Sequence, residues 1–306
     1  MLEVGGSHVT AAEVDLESGV VMGESSHTEP LNPKGSAEEI LVAVLGCGQS
    51  LSRRQGESWA VAMPGPFDYR RGIGLFEGVG KFEALYGVDV KKELLGGLPG
   101  PPGSVTFVND AEAFMWGEHL YGAAVGYARC VGITLGTGVG SAFFAEGAVC
   151  RSGTGVPPEG RVDLLEVDGR PLENVVSTRA LLREYYARTG KSVQGAAELG
   201  RLARSGDDVA TAVLFGAFER LGAELRPWLE NFGAEALVVG GAMARSWDLV
   251  GPALSAGLQG GRSGRLEGLV VSPAAHLMDA ALLGAAAYIG SSRHGDFGGL
   301  CRAAAQ

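Results

Sequence analysis

Cysteine is scarce in this chain of 306 residues: Cys47, Cys130, Cys150 and Cys301 lie far apart and form no Cys-x-x-Cys pair. That spacing provides neither a disulfide framework nor a thiolate zinc site, so the thiols read as buried or incidental. Positive charge is in deficit as well, with 25 Lys and Arg against 35 Asp and Glu, a net charge of -10, and no basic cluster. Nucleic acids and anionic membranes both require a basic footprint, so neither is expected as a partner and small molecules are. No apolar run reaches membrane-spanning length. The first residues carry no basic leader, and a cytoplasmic location is therefore expected.

Glycine is abundant: 50 residues, scattered as punctuation between short elements without forming a repeat. A chain this long is expected to form two lobes sharing a cleft. The stretch that organises the rest is Val131-Gly132-Ile133-Thr134-Leu135-Gly136-Thr137-Gly138-Val139-Gly140, followed by the apolar Ser141 to Ala145. It reads as strand, glycine turn, strand. The turn opens no helix with Gly-x-Gly-x-x-Gly and lacks a Walker Gly-Lys-Ser/Thr ending, so it is neither of those phosphate loops. Its glycines serve one of two ends: a hairpin that needs positive φ, or amides brought close to an anion with no Cβ in the way. A second such turn, Gly5-Gly6-Ser7, separates Leu2-Glu3-Val4 from His8 to Val14. Two glycine hairpins in one chain point to two jaws.

Between and beyond the hairpins the elements are short. Ser36-Ala37-Glu38-Glu39 is a capping box that starts a helix running to about Ser52. Trp59 to Met63 is a buried strand stopped by Pro64-Gly65-Pro66, whose backbone either turns the chain or meets a ligand. Residues 81–95 alternate in a helical fashion, with Phe82, Leu85, Tyr86 and Val90 as candidate core. Val105 to Asn109 is a strand, and Asp110 stands where the next helix begins. It is either an ordinary N-cap or a carboxylate presented as a general base. Residues 151–163 form a glycine- and proline-rich loop holding Glu159, and Leu172-Glu173-Asn174 leads into helices over 177–188, 194–204 and 208–231. Ala236 to Val239 is a strand ending in Gly240-Gly241-Ala242, followed by a helix from Ser246, a strand at 269–272 and a small-residue helix over 277–289. The tail after Gly290 is expected to be mobile, and no internal repeat shows by spacing.

In their order, Gly5-Gly6-Ser7, Pro64-Gly65-Pro66, Val108-Asn109-Asp110-Ala111, Leu135 to Gly140 and Val238-Val239-Gly240-Gly241 resemble the ROK family of sugar kinases and related repressors, over nearly the whole chain. The resemblance implies a two-lobed α/β fold of the actin-like, ribonuclease-H-like ATPase type with a cleft between the lobes. The small lobe would be 1–110 completed by 285–306, and the large lobe 111–284. It implies that Gly5, Gly6 and Ser7 grip the ATP phosphates from one side and Gly136, Thr137, Gly138 and Gly140 from the other, with Gly240, Gly241 and Ala242 against the adenosine. Asp110 matches the family's catalytic base and Asn109 a sugar-hydroxyl ligand, while Gly65 falls under the sugar. Glu159 and Glu173 match two glutamates that accept hydrogen bonds from sugar hydroxyls. Glu3 matches the acid that holds Mg²⁺ through water, one methylene longer than the usual aspartate. A homodimer is the family expectation.

Three departures carry weight. Val162 stands where the family's sugar-binding, zinc-linked histidine would be, so an amino sugar such as kanosamine, N-acetylmannosamine or a cyclitol competes with glucose as acceptor. Val167-Asp168-Gly169-Arg170-Pro171 replaces the zinc-binding cysteine cluster, so no zinc is expected. No helix-turn-helix region precedes the first strand, which disfavours the repressor branch. The expected activity is ATP- and Mg²⁺-dependent transfer of the γ-phosphate to a primary hydroxyl, the 6-OH of a hexose, with polyphosphate as a second possible donor. Its rivals are a non-catalytic sugar sensor of the same fold and an acyl-phosphate-forming kinase, for which Arg151 or Arg161 would serve in the cleft.

Overall fold

The computed structural model describes residues 1–15, 18–51, 58–99, 103–260 and 266–293. The end of the first helix at Ser52, the tail from 294 and Cys301 lie outside them. The chain forms two compact units, Met1–Tyr121 with the segment from Asp279, and Gly122–Met278.

In the first unit β1 (Leu2–Val4), β2 (His8–Asp15) and β3 (Val20–Pro30) make an antiparallel meander, followed by α1 (Ala37–Gln49) and β4 (Ser58–Met63). Two short strands, β5 (Phe67–Asp68) and β6 (Ile73–Gly74), then lead to α2 (Val90–Gly97), β7 (Ser104–Asn109) and α3 (Asp110–Tyr121). The sheet order is β3-β2-β1-β4-β7, with β1, β4 and β7 parallel. α1 starts at a complete capping box: the Glu39 amide donates to Ser36 Oγ at 3.1 Å and the Ser36 amide to Glu39 Oε2 at 2.7 Å. The helix expected over 81–95 is not continuous. Gly87 adopts φ +74 and separates a 3-10 turn at Glu83–Leu85 from α2. Phe82, Leu85 and Val90 are buried as expected, but Tyr86 lies in the break and is exposed.

The second unit repeats the plan. β8 (Arg129–Leu135), β9 (Val139–Ala145) and β10 (Ala148–Cys150) form a meander, and a small hairpin of β11 (Glu166–Val167) and β12 (Arg170–Pro171) follows. Then come α4 (Glu173–Val176), α5 (Thr178–Thr189), α6 (Ala196–Arg204), α7 (Asp208–Phe232), β13 (Ala236–Gly240), α8 (Trp247–Gln259) and β14 (Val270–Pro273). The sheet order is β10-β9-β8-β13-β14, with β8, β13 and β14 parallel. In each unit the first strand is central, its two hairpin successors lie on one side and two crossover strands on the other. Local chemistry bounds the helices: Ser177 and Asp207 cap α5 and α7, and Gly190 and Gly233 end them in the left-handed conformation.

The last helix, α9 (Ala280–Arg293), returns to the first unit. A Cβ on Gly117 of α3 would lie 2.0 Å from the Ala280 carbonyl oxygen, and one on Gly284 of α9 would lie 1.8 Å from the Ala113 carbonyl oxygen. Backbone thus packs on backbone, which only glycine permits. This contact puts α3 and residues 279–284 in the first unit, so the units divide at 121/122 and 278/279, where the sequence reading has 110/111 and 284/285.

Candidate functional site

In the first unit the sequence-derived residues gather at the carboxyl ends of the parallel strands, where open α/β sheets bind ligands. Glu3 pairs with Ala62 across β1 and β4, and Met63 with Asn109 across β4 and β7. The turn Gly5 to Ser7, the loop Pro64 to Pro66 and the Asn109-Asp110 junction therefore leave the same end of the sheet. The Gly5 amide donates to the His8 carbonyl at 2.8 Å, and Ser7 Oγ lies 3.3 Å from His8 Nδ1.

The N-cap task belongs to Asn109. Its Oδ1 accepts from the Ala111 and Glu112 amides at 3.0 and 3.1 Å, while its Nδ2 donates to the Tyr69 hydroxyl at 3.0 Å. Tyr69 in turn donates to the Met63 carbonyl at 3.2 Å and packs below Gly65, where a Cβ would meet its oxygen at 3.2 Å. Asp110 is the first helical residue, with Oδ1 accepting from the Ala111 amide at 2.9 Å. It stands beside Glu3, whose carboxyl is pushed up to about 7 by burial first, then by the Asp110 and Asp279 carboxylates. Asp279 immediately precedes α9 and closes this acidic set; nothing in its local sequence marks it.

In the second unit the turn Gly136 to Gly138 and the segment Gly240 to Ala242 end the neighbouring parallel strands β8 and β13. None of Gly5, Gly6, Gly136, Gly138 or Gly140 has positive φ, so the hairpin's backbone demand does not explain these glycines. Close approach does at Gly138, where a Cβ would lie 2.8 Å from Glu173 Oε2. Glu173 braces the turn: Oε2 accepts from the Val139 amide at 3.3 Å and Oε1 pairs with Arg179 Nη2 at 3.0 Å. Thr178 at the start of α5 donates to the Gly136 carbonyl from its amide and its hydroxyl, both at 2.9 Å. Gly241 is needed for conformation as well as space, with φ +81 and a Cβ position 2.4 Å from the Leu135 carbonyl oxygen. Thr137 and Ala242 are exposed.

Glu159 is exposed and holds φ +58, a left-handed conformation that costs a non-glycine residue of order 1 kcal/mol. The loop is pinned by Ser141 Oγ, which donates to the Gly160 carbonyl at 2.6 Å and accepts from the Val162 amide at 3.0 Å. Val162 itself is fully buried in the core of this unit. Arg161 is held by both oxygens of Asp163, at 3.2 and 2.6 Å. Where the zinc cluster would be, Val167 enters the core and Asp168-Gly169 make the turn of the β11–β12 hairpin. Among the described residues no three Asp, Glu, His or Cys converge closely enough to cage a metal.

Residues 1–291 match the family model of the ROK family. The chain belongs to the ROK family. Over 212 residues it is 28% identical to a glucokinase of Thermotoga maritima, covering 62% of this chain and 65% of that one, just under two thirds of the relative's length. It is 26% identical over 276 residues to a glucokinase of Streptomyces coelicolor, covering 81% of this chain and 83% of that one. Among solved structures it is similar to a ROK family glucokinase of Streptomyces griseus in complex with glucose and AMPPNP, with a TM-score of 0.76, 25% identity, and 94% and 97% of the two chains covered. This ROK chain accordingly has the actin-like ATPase fold of the ROK sugar kinases, and its two five-stranded sheets are the two halves of that fold. No helix among the described residues is long and apolar enough to cross a membrane.

Proposed function

We propose that this ROK protein is an ATP-dependent kinase that phosphorylates a primary hydroxyl of a hexose or close analogue, with Asp110 as general base. The observation that carries the reading is the placement of Asp110: it follows the Asn109 cap at the carboxyl end of the parallel strands, beside Glu3 and the Gly5–Ser7 turn. Asp110 takes the hydroxyl proton, the oxygen forms its bond to the γ-phosphorus, and the bond to the β-phosphate oxygen breaks to release ADP. Amides of the Gly5–Ser7 and Gly136–Gly140 turns receive phosphate oxygens, and Gly240–Ala242 runs along the adenosine. Glu159, strained and exposed, is the stronger sugar-hydroxyl acceptor; Glu173 reaches a sugar only while also bracing its turn.

The acidic set fits Mg²⁺: Glu3, Asp110 and Asp279 are hard oxygen donors, and the Glu3 carboxyl, raised by burial first and then by the other two carboxylates, would be relieved by a cation. These carboxylates would hold Mg²⁺ through its own waters, without a protein cage, and the ion would supply charge neutralisation to the phosphates. Binding of Arg161 by Asp163 leaves that arginine engaged, which weighs against acyl-phosphate chemistry.

The test is ADP release with MgATP across glucose, 2- and 3-amino hexoses, N-acetylated hexoses and cyclitols. One acceptor should turn over, and Asp110→Asn should lower kcat by about 10² to 10⁴ with its melting temperature kept. Full activity in that variant, or sugar-dependent stabilisation with no turnover of any sugar, would overturn the reading, the second in favour of a sensor.

A further inference from the structure

Tyr69 takes no part in the proposed chemistry, yet it ties together the segments that surround Asp110 in the first unit. It opens the turn between β5 and β6, half-buried, with its ring 5.4 Å from that of Phe67 and tilted at 57°. Phe67 packs in turn on Phe76 and Phe107, so the tyrosine ring leans on a buried aromatic core while its hydroxyl reaches the carboxyl end of the sheet. There the hydroxyl donates to the Met63 carbonyl at the end of β4, at 3.2 Å, and accepts from Asn109 Nδ2 at the end of β7, at 3.0 Å. The Pro64–Pro66 loop passes the same oxygen: a Cβ on Gly65 would lie 3.2 Å from Tyr69 Oη and 4.0 Å from Asn109 Nδ2. Glycine at this point puts no side chain over the pair.

What remains for a substrate follows from the donors and acceptors already in use. The Asn109 amide oxygen accepts from the Ala111 and Glu112 N–H groups, which takes up both its lone pairs. Of the two Nδ2 hydrogens, one goes to Tyr69 and the other meets no partner among the described residues. Asn109 can therefore only donate, through one hydrogen, and it does so next to the carboxylate of Asp110. The cap bonds hold this amide at its oxygen; Tyr69 holds it at its nitrogen.

We propose that Tyr69 is a positioning residue for the sugar: it aims the second Nδ2 hydrogen of Asn109 at a hydroxyl other than the one that Asp110 deprotonates. The inference rests on the kinase reading and adds to it the group that fixes how the sugar lies. A hydroxyl has the lone pair that this donor needs and a protonated amine does not, so the group read by Asn109 is a hydroxyl even where the substrate is an amino-hexose. Without the tyrosine hydroxyl the cap bonds still anchor the start of α3, and Asp110 with it, but the nitrogen end of the amide is free to tilt. The sugar is then held less tightly over a base that has not moved.

The test is Tyr69→Phe, which keeps the ring and its packing and removes one oxygen. With glucose, or the hexose of the panel that turns over fastest, KM for the sugar should rise about five- to tenfold while kcat and KM for MgATP stay within about twofold. Mono-deoxy analogues of that sugar identify the hydroxyl concerned. For the analogue that lacks it, wild type and Tyr69→Phe should share one KM, because the contact is gone from both. A merely structural role would instead raise KM by the same factor for every analogue, or lower kcat. Either of those results, or an unchanged KM, would overturn the proposal and leave the kinase reading standing. No turnover of any sugar by the wild type would overturn the kinase reading, and calorimetric titration of the same sugars then decides the role of Tyr69. Affinity that depends on Tyr69 and on one hydroxyl supports it; affinity indifferent to Tyr69, or no binding at all, overturns it.

Discussion

At the scale of single residues, the junction after β7 shows how a chemical group is kept available. A strand running straight into a helix needs an N-cap, and here the amide of Asn109 satisfies two helix N–H groups while its other end is tied to Tyr69. Asp110 is thereby held beside Glu3, whose carboxyl is raised from 4.5 to about 7 by burial first and then by the Asp110 and Asp279 carboxylates. The native state therefore binds a proton that the unfolded chain has released. The stability this contributes is fully present below about pH 4.5 and is lost as pH rises through 7. Discounted for the partial exposure of Glu3, the loss is about 2 kcal/mol. Urea unfolding without divalent cations should show the wild type losing that much relative to Glu3→Gln between pH 5 and pH 8. Parallel pH profiles for the two proteins would mean that Glu3 ionises freely in the fold. Of this cluster Glu3, Asn109 and Asp110 were legible in sequence because they flank motif glycines and a strand end. Tyr69 and Asp279 were not, since each acts through a partner more than thirty residues away in the chain or, for Asp279, through charge alone.

At the scale of elements, the readings that held are those set by local chemistry. The Ser36–Glu39 box starts α1, Gly190 ends α5, and the strand-turn-strand around Gly136 is formed as its residues dictate. The reading over 81–95 failed because one glycine, Gly87, took a conformation that the apolar spacing around it does not reveal. The pairing of α3 with α9, far along the chain, is not announced by local chemistry: it rests on Gly117 and Gly284 meeting carbonyls across the interface. Two identical substitutions separate the effects. Gly46→Ala on exposed α1 places a methyl where nothing lies within 4 Å, so only helix propensity acts and stability should rise by about 0.5 to 1 kcal/mol. Gly284→Ala gains the same propensity but drives its methyl to 1.8 Å from a backbone oxygen. Parting α3 and α9 outweighs that gain, and a net loss of about 1 to 2 kcal/mol is expected. Thermal melts of the two variants should move in opposite directions; a shift of the same sign would mean that the helices do not pack through this glycine.

At the scale of the molecule, each unit is built on one plan, a central strand with a meander on one side and two crossover strands on the other. Spacing in the sequence hides the repeat, because the inserted helices and loops differ in length while the strand pairing does not. The chain path then makes the units unequal. The second is a single uninterrupted stretch, whereas the first is closed only when α9 comes back to pack on α3 and β4. The buried faces of α3 and β4 are largely apolar, so without α9 they are left to water, with Ala113, Ala60 and Ala62 among the residues uncovered. A chain ending at Met278 should therefore lose the first unit and keep the second. Hydrogen exchange should show rapid exchange at the amides of β1, β4 and β7 alongside sustained protection in β8 and β13. Protection kept in both sheets would show that α3 and the first sheet are stable without α9. Protection lost in both would show that the second unit, despite its own core, folds only with the first.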